Sequence, residues 1–374
     1  MSIFEQRESA IRAYCRVYPV VFDKALNARQ TDENGREYID FFAGAGVLNF
    51  GHNNPRMTEA VIAYIQSNGV THSLDMHTTA KRQFMEHFTK TILEPRKMPH
   101  KMQFMGPTGT NAVEAAMKMA RRATGRQDIV AFSHGFHGMT LGALSATANQ
   151  HFRNAAGVPL THVQHFPFGC ETVCPGCELG CGMQSIEQLR AIYADSSSGI
   201  APPAGFLLET IQAEGGVKVA DKGWLQALAK LAKDVGALLI IDDIQVGVGR
   251  TGSFFSFDDL DLDPDIICLA KGIGGLGTPM AMNLVKPEHD QHWLPGEHTG
   301  TFRGQDISFI AGDQALTYFD DDELMQTVKA HGAMMADSLQ PLVDRHPLVN
   351  LTGKGMILGL DVGNVDPAID HAQS

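Results

Sequence analysis

Two short apolar runs constrain this chain more than anything else in it. Ala237-Leu238-Leu239-Ile240-Ile241 ends in Asp242-Asp243, and Ile266-Ile267-Cys268-Leu269-Ala270 ends in Lys271-Gly272. Each has the length of a strand and is apolar without alternation, as a strand reads when both faces of a parallel sheet are covered. Each also delivers an ionisable side chain at its C-terminal end, the edge of an open α/β sheet where ligands bind.

The surrounding pattern agrees. Phe206-Leu207-Leu208 reads as a strand, and Trp224 to Val235 as a helix with Leu225, Leu228, Leu231 and Ala232 on one face. With Ala237 to Ile241 they make a βαβ unit, expected to be right-handed and parallel. Asn111 to Arg122 carries Ala112, Ala115, Ala116 and Met119 at helical spacing, and Ile129-Val130-Ala131-Phe132 is a further strand. The segments before about residue 50 and after about residue 310 mix helical patterns with glycine turns. The expected division is therefore residues 1–50 as the first part of a smaller domain, 51–308 as the large domain, and 309–374 as the start of the C-terminal small domain, cut short. No fixed-period repeat or low-complexity tract interrupts the chain.

With 374 residues, 44% of them hydrophobic, the chain can bury one large core or two domains sharing an interface. A formal charge of −12 argues against a nucleic-acid protein, which would need a basic face. No apolar segment approaches the roughly 18 residues of a membrane span. The start, Met1-Ser2-Ile3-Phe4-Glu5-Gln6-Arg7, lacks the layout of a signal peptide, so a cytoplasmic location is expected.

Lys271 stands between Ile-Ile-Cys-Leu-Ala and Gly-Ile-Gly-Gly. Burial there depresses the lysine pKa and frees a neutral amine to attack an aldehyde; the bland alternative is a snorkelling lysine at a strand end. Of Asp242 and Asp243, one is expected to point inward and one sideways. A lysine and a carboxylate together at this edge suit a pyridoxal-phosphate enzyme, the lysine holding the cofactor covalently and the acid keeping the pyridine nitrogen protonated. Thr108-Gly109-Thr110-Asn111 leads into the helix and reads either as a phosphate cradle or as an ordinary N-cap, with Asn111 and Glu114 in capping-box spacing. Phe136, in Phe136-His137-Gly138, either stacks on a planar cofactor or belongs to the core. Cys170, Cys174, Cys177 and Cys181 crowd one glycine-rich loop. They read as zinc ligands, conceivably as an iron–sulfur site, or as reduced thiols.

Several motifs in order carry a resemblance that covers the chain from about residue 20 onward. Asp242-Asp243-Ile244-Gln245, Gly249-Arg250-Thr251-Gly252, Lys271-Gly272 and His298…Thr301-Phe302…Gly304 resemble the class III (omega-type) pyridoxal-phosphate aminotransferases. Phe41 to Gly46, Gly51 to Pro55, His72 to Met76, Gly106 to Glu114 and Pro295 to Gly304 resemble more narrowly the diaminobutyrate–2-oxoglutarate transaminases of ectoine and siderophore pathways. The resemblance implies fold type I of the pyridoxal-phosphate-dependent transferases (aspartate aminotransferase-like), a large domain with a mostly parallel sheet plus a smaller α/β domain. It implies that Lys271 holds the cofactor and shuttles the proton, Asp242 pairs with the pyridine nitrogen and Gln245 touches the ring hydroxyl. Phe136 takes the stacking position where many relatives have tyrosine. Gly109 and Thr110 bind the phosphate, joined by Thr301 from a neighbouring subunit, which implies a homodimer or tetramer with a shared active site. Glu209 and Glu214 line the substrate side, Glu214 acting as a switch that pairs with an arginine for one substrate and releases it for a dicarboxylate.

Departures from the family pattern are Ala213 where glycine is usual, Gln305-Asp306 where asparagine is common, and the cysteine loop. The chain also stops at Ser374, before the segment that carries the partner arginine in relatives, and no residue here takes that role. The expectation is either a fragment or a rebuilt carboxylate site. The leading reading is transfer between L-2,4-diaminobutyrate and 2-oxoglutarate. The alternatives are another omega-amino acid (4-aminobutyrate, ornithine) or a non-catalytic metal-binding scaffold. A hydride-transfer enzyme is weaker still, lacking Gly-x-Gly-x-x-Gly between a strand and a helix.

Overall fold

The computed structural model describes residues 2–169, 181–346 and 349–362. Its centre is a seven-stranded sheet of β1 (Lys101–Phe104), β2 (Ile129–Phe132), β3 (Val163–Phe166), β4 (Gly205–Leu208), β5 (Leu238–Asp242), β6 (Ile266–Leu269) and β7 (Met282–Val285). The spatial order is β1-β7-β6-β5-β4-β2-β3. All neighbours run parallel except at β7, which is antiparallel to both β1 and β6.

Why the runs at β5 and β6 show no alternation is visible in their packing. Leu239 and Ile241 face one buried core with Phe132, Phe206, Leu208 and Trp224. Leu238 and Ile240 face the other, against Ala112, Val113, Ala116 and Met119 of helix α1 (Gly109–Thr124). Successive strand residues point to opposite faces, and here both faces are covered, so every position is apolar. Helix α2 (Leu141–Ala146) lies beside α1, and helix α3 (Lys222–Val235) buries Trp224, Leu225, Leu228, Leu231 and Ala232. Asp221 caps α3 by accepting from the Trp224 N–H at 2.8 Å, and Gly236 ends it in the left-handed conformation.

Before this sheet come three antiparallel strands, Phe22–Leu26, Arg29–Asp32 and Glu37–Ile39. After it come helix Glu323–Arg345 and a hairpin of Asn350–Lys354 with Ile357–Asp361. Among the described residues no helix is long and apolar enough to cross a membrane.

Candidate active site

The C-terminal ends of β2, β4, β5 and β6 converge on one cleft of about 140 Å³, open at its mouth. Seven residues singled out from the sequence line it: Gly109, Thr110, Phe136, Glu209, Asp242, Gln245 and Lys271. They come from five separated segments. The parallel register delivers them, since Asp242 on β5 pairs with Cys268 on β6 and Lys271 follows three residues later.

Lys271 opens a short 3₁₀ turn with φ 52°, a left-handed conformation that non-glycine residues rarely adopt. Its Nζ donates to Gln245 Oε1 at 2.6 Å, and Gln245 Nε2 donates to Glu214 Oε1 at 2.9 Å. Burial lowers the lysine pKa, while the charges of Glu214, Asp242 and Glu209 act against that fall. The snorkelling alternative is thereby excluded: the amine faces into the cleft among acids.

Asp242 points into the cleft and Asp243 packs away from it, as expected for successive strand residues. Oδ2 of Asp242 is 2.8 Å from His137 Nδ1, and both side chains are buried. His137 is itself held by its backbone N–H on Thr147 Oγ1 at 3.0 Å. Glu209 accepts from the Phe136 N–H at 3.0 Å, and burial together with the negative charge of Asp242 lifts its pKa well above the usual carboxylate range. Its protonated form is thereby favoured, and in that form the carboxyl can donate as well as accept. Glu209→Gln keeps an acceptor oxygen for the Phe136 N–H and is expected to keep turnover within about threefold, whereas Glu209→Ala should lose about tenfold or more; steady-state rates of the two variants check this.

Asp243 is fully buried and accepts from the Ser256 N–H at 3.2 Å, and burial pushes its pKa up to about 7. The native state therefore holds a proton that the unfolded chain has released above its ordinary value of 3.8. This contribution to stability is fully present below that value and is lost as pH rises through about 7. Asp243→Asn removes the dependence. The expected result is a melting temperature that gains on the parent as pH is raised from about 5 to about 9.

A strap from the N-terminal segment covers the lysine. Ala43, Gly44, Ala45 and Gly46 all have positive φ, between 49° and 89°. A Cβ on Gly46 would stand 3.2 Å from Gln245 Cγ and 3.9 Å from Lys271 Cδ. The tight approach to Gln245 and the φ of 89° both favour glycine here.

The residues fit a bound phosphate and ring. Helix α1 begins at Gly109 with Thr108 at its N-cap, and no side chain satisfies the first amides there. A Cβ on Gly109 would meet Ile244 Cδ1 at 3.0 Å, and one on Gly138 would meet Thr110 Oγ1 at 2.4 Å, so the cradle admits backbone only. The capping-box alternative is corrected by the same geometry. Asn111 donates to Thr108 Oγ1 at 2.9 Å, and Glu114 accepts from Thr140 and Ala143 instead, because the N-cap is Thr108, three residues earlier than the spacing suggests.

Thr301 lies exposed in a turn and does not line the cleft of its own chain. Cys170, Cys174 and Cys177 lie outside the described residues, as does the side chain of Cys181. Among the described residues no cluster of His, Cys, Asp and Glu could hold a metal. Sequence reasoning missed His137, which it passed as Phe136's neighbour, and also the Gly46 strap. A histidine directly after the aromatic residue was the available signal for the first.

The sequence profile of the aminotransferase class-III family matches residues 12–372. The diaminobutyrate–2-oxoglutarate transaminase of Halalkalibacterium halodurans is 47% identical over 362 residues, 96% of this chain and 83% of the relative. That of Wolinella succinogenes is 48% identical over 364 residues, 97% and 83%. Among solved structures, an ornithine aminotransferase from Toxoplasma gondii, with partial occupancy of pyridoxal phosphate at its active site, superposes with a TM-score of 0.80 at 26% identity, covering 98% of this chain and 82% of the other.

Proposed function

Since the chain belongs to the class III aminotransferases, pyridoxal-phosphate enzymes of fold type I, we propose that it moves an amino group between L-2,4-diaminobutyrate and 2-oxoglutarate, with aspartate 4-semialdehyde and glutamate on the other side. The observation that carries the substrate is the 47–48% identity to transaminases of that name across nearly the whole chain.

In this reading Lys271 holds the cofactor covalently, Asp242 faces the pyridine nitrogen, and Gln245 faces the ring hydroxyl. Phe136 covers a ring face, and Gly109 and Thr110 take the phosphate. When bound, pyridoxal phosphate supplies an electron sink for charge developing on the substrate carbon. The protein's own work is to place an amine and an acid around that carbon. Lys271 Nζ moves the proton, and burial, by lowering its pKa, favours the neutral amine that can accept one. Gln245 orients Nζ, and Glu214 orients Gln245. His137 restrains one oxygen of Asp242, and the other accepts weakly from the Ile244 N–H. Glu214 is the switch of this reading, pairing with an arginine when the amine substrate binds and releasing it for the dicarboxylate, so that one pocket serves two substrates.

The reading includes a homodimer, with Thr301 of the partner subunit completing the phosphate site. Its support is the number of large apolar side chains left exposed on the single chain, among them Phe41 at 87%, Met76 at 61% and Phe302 at 54% exposure. It also includes the division at residues 50 and 308, a cytoplasmic setting and a place in ectoine or siderophore synthesis. A panel of amino donors against 2-oxoglutarate, read as glutamate formed, tests the substrate. Diaminobutyrate should lead in kcat/KM. A lead for ornithine or 4-aminobutyrate moves the protein to another branch of the family.

A further inference from the structure

Glu114 has no place in the chemistry above, yet it sits one hydroxyl pair away from the phosphate cradle. Its Oε1 accepts from Thr140 Oγ1 at 2.6 Å and from the Ala143 N–H at 3.0 Å. Thr140 Oγ1 is in turn 2.6 Å from Thr110 Oγ1, and the Thr140 N–H points to Thr110 Oγ1 at 3.3 Å. A hydroxyl has one proton. Thr140 gives its proton to the carboxylate, so the short contact between the two threonines is made by the proton of Thr110. The chain of donors therefore runs from Thr110 to Thr140 to Glu114, in one direction only.

We propose that Glu114 is a positioning residue for the cofactor phosphate: it draws the Thr110 hydroxyl proton away from the cleft and ties the start of α1 to the start of α2. The phosphate is then held at this corner by backbone N–H groups, and the Thr110 side chain acts as a brace. This rests on the reading of the cleft as a pyridoxal-phosphate site.

Two glycines make the brace possible. A Cβ on Gly142 would stand 2.1 Å from Glu114 Oε2, and one on Gly138 would stand 2.4 Å from Thr110 Oγ1. A carboxylate close to a phosphate is electrostatically adverse, so attraction cannot explain Glu114. An acceptor that fixes a hydroxyl chain can.

The test uses full-length protein stripped of cofactor and titrated calorimetrically with pyridoxal phosphate and with pyridoxal, which lacks the phosphate. Glu114→Ala should weaken pyridoxal phosphate about tenfold and leave pyridoxal unchanged, the size expected for a lost hydrogen bond to a charged group. Glu114→Gln keeps an acceptor oxygen toward Thr140 and should stay within about threefold of the parent. Gly142→Ala, which displaces the carboxylate, should weaken pyridoxal phosphate selectively, by less than Glu114→Ala. Unchanged affinity in Glu114→Ala, or equal loss for both ligands, overturns the role of Glu114. A parent protein that does not prefer pyridoxal phosphate over pyridoxal overturns the reading of the cleft, and the inference with it.

Discussion

Changing Lys271 to alanine is expected to lower turnover by about 10⁴-fold or more, the upper end of what one positioned acid–base group contributes, because the covalent hold is lost with it. The same cleft geometry indicates how the loss would divide. Gly109, Thr110, Phe136 and Asp242 stay in place, so cofactor affinity should fall much less than turnover. Lys271→Arg should be as inactive as the alanine variant, because a guanidinium does not deprotonate near neutral pH. A small primary amine added to Lys271→Ala should restore part of the rate, since it supplies the missing base without the advantage of position. Single-turnover rates with and without added amine check all three.

Asp242→Ala is expected to cost on the order of 10²- to 10³-fold in kcat, the range for removing one preorganised electrostatic contact. The carboxylate is buried, backed by His137 at 2.8 Å, and its Oδ1 accepts weakly from the Ile244 N–H at 3.3 Å. Asp242→Asn keeps shape but not charge. It should fall nearly as far in kcat with KM little changed, which separates an electronic role from a packing one. Glu209 provides an internal control. With the negative charge of Asp242 gone, one cause of its raised pKa goes as well, so Glu209 should titrate at lower pH in Asp242→Asn.

What the sequence made legible was the part governed by strand patterning. β5 and β6 read correctly as buried parallel strands because their apolar runs have no other economical use, and the charged residues at their ends follow from chain direction. Ile129–Phe132 and the helix carrying Leu225, Leu228 and Leu231 were equally plain. What could not be read were contacts between segments far apart in sequence. His137 and Asp242 are 105 residues apart, and no local period links them. The strap over Lys271 depends on four successive residues with positive φ, two of them alanines, which no propensity anticipates. Glu114 was read through local spacing as a cap, but a tertiary contact with α2 took it instead. β7 enters antiparallel between β1 and β6, an arrangement its own four residues do not signal.

In the proposed site, Lys271 is the residue that holds the cofactor. The most direct measurement is borohydride reduction of the protein loaded with pyridoxal phosphate, followed by peptide mapping by mass spectrometry. One reduced pyridoxyl phosphate group on the peptide containing Lys271, and none on that peptide in Lys271→Ala, is the expected result. Stable labelling at a different lysine, or no label on a protein that binds the cofactor, would contradict it.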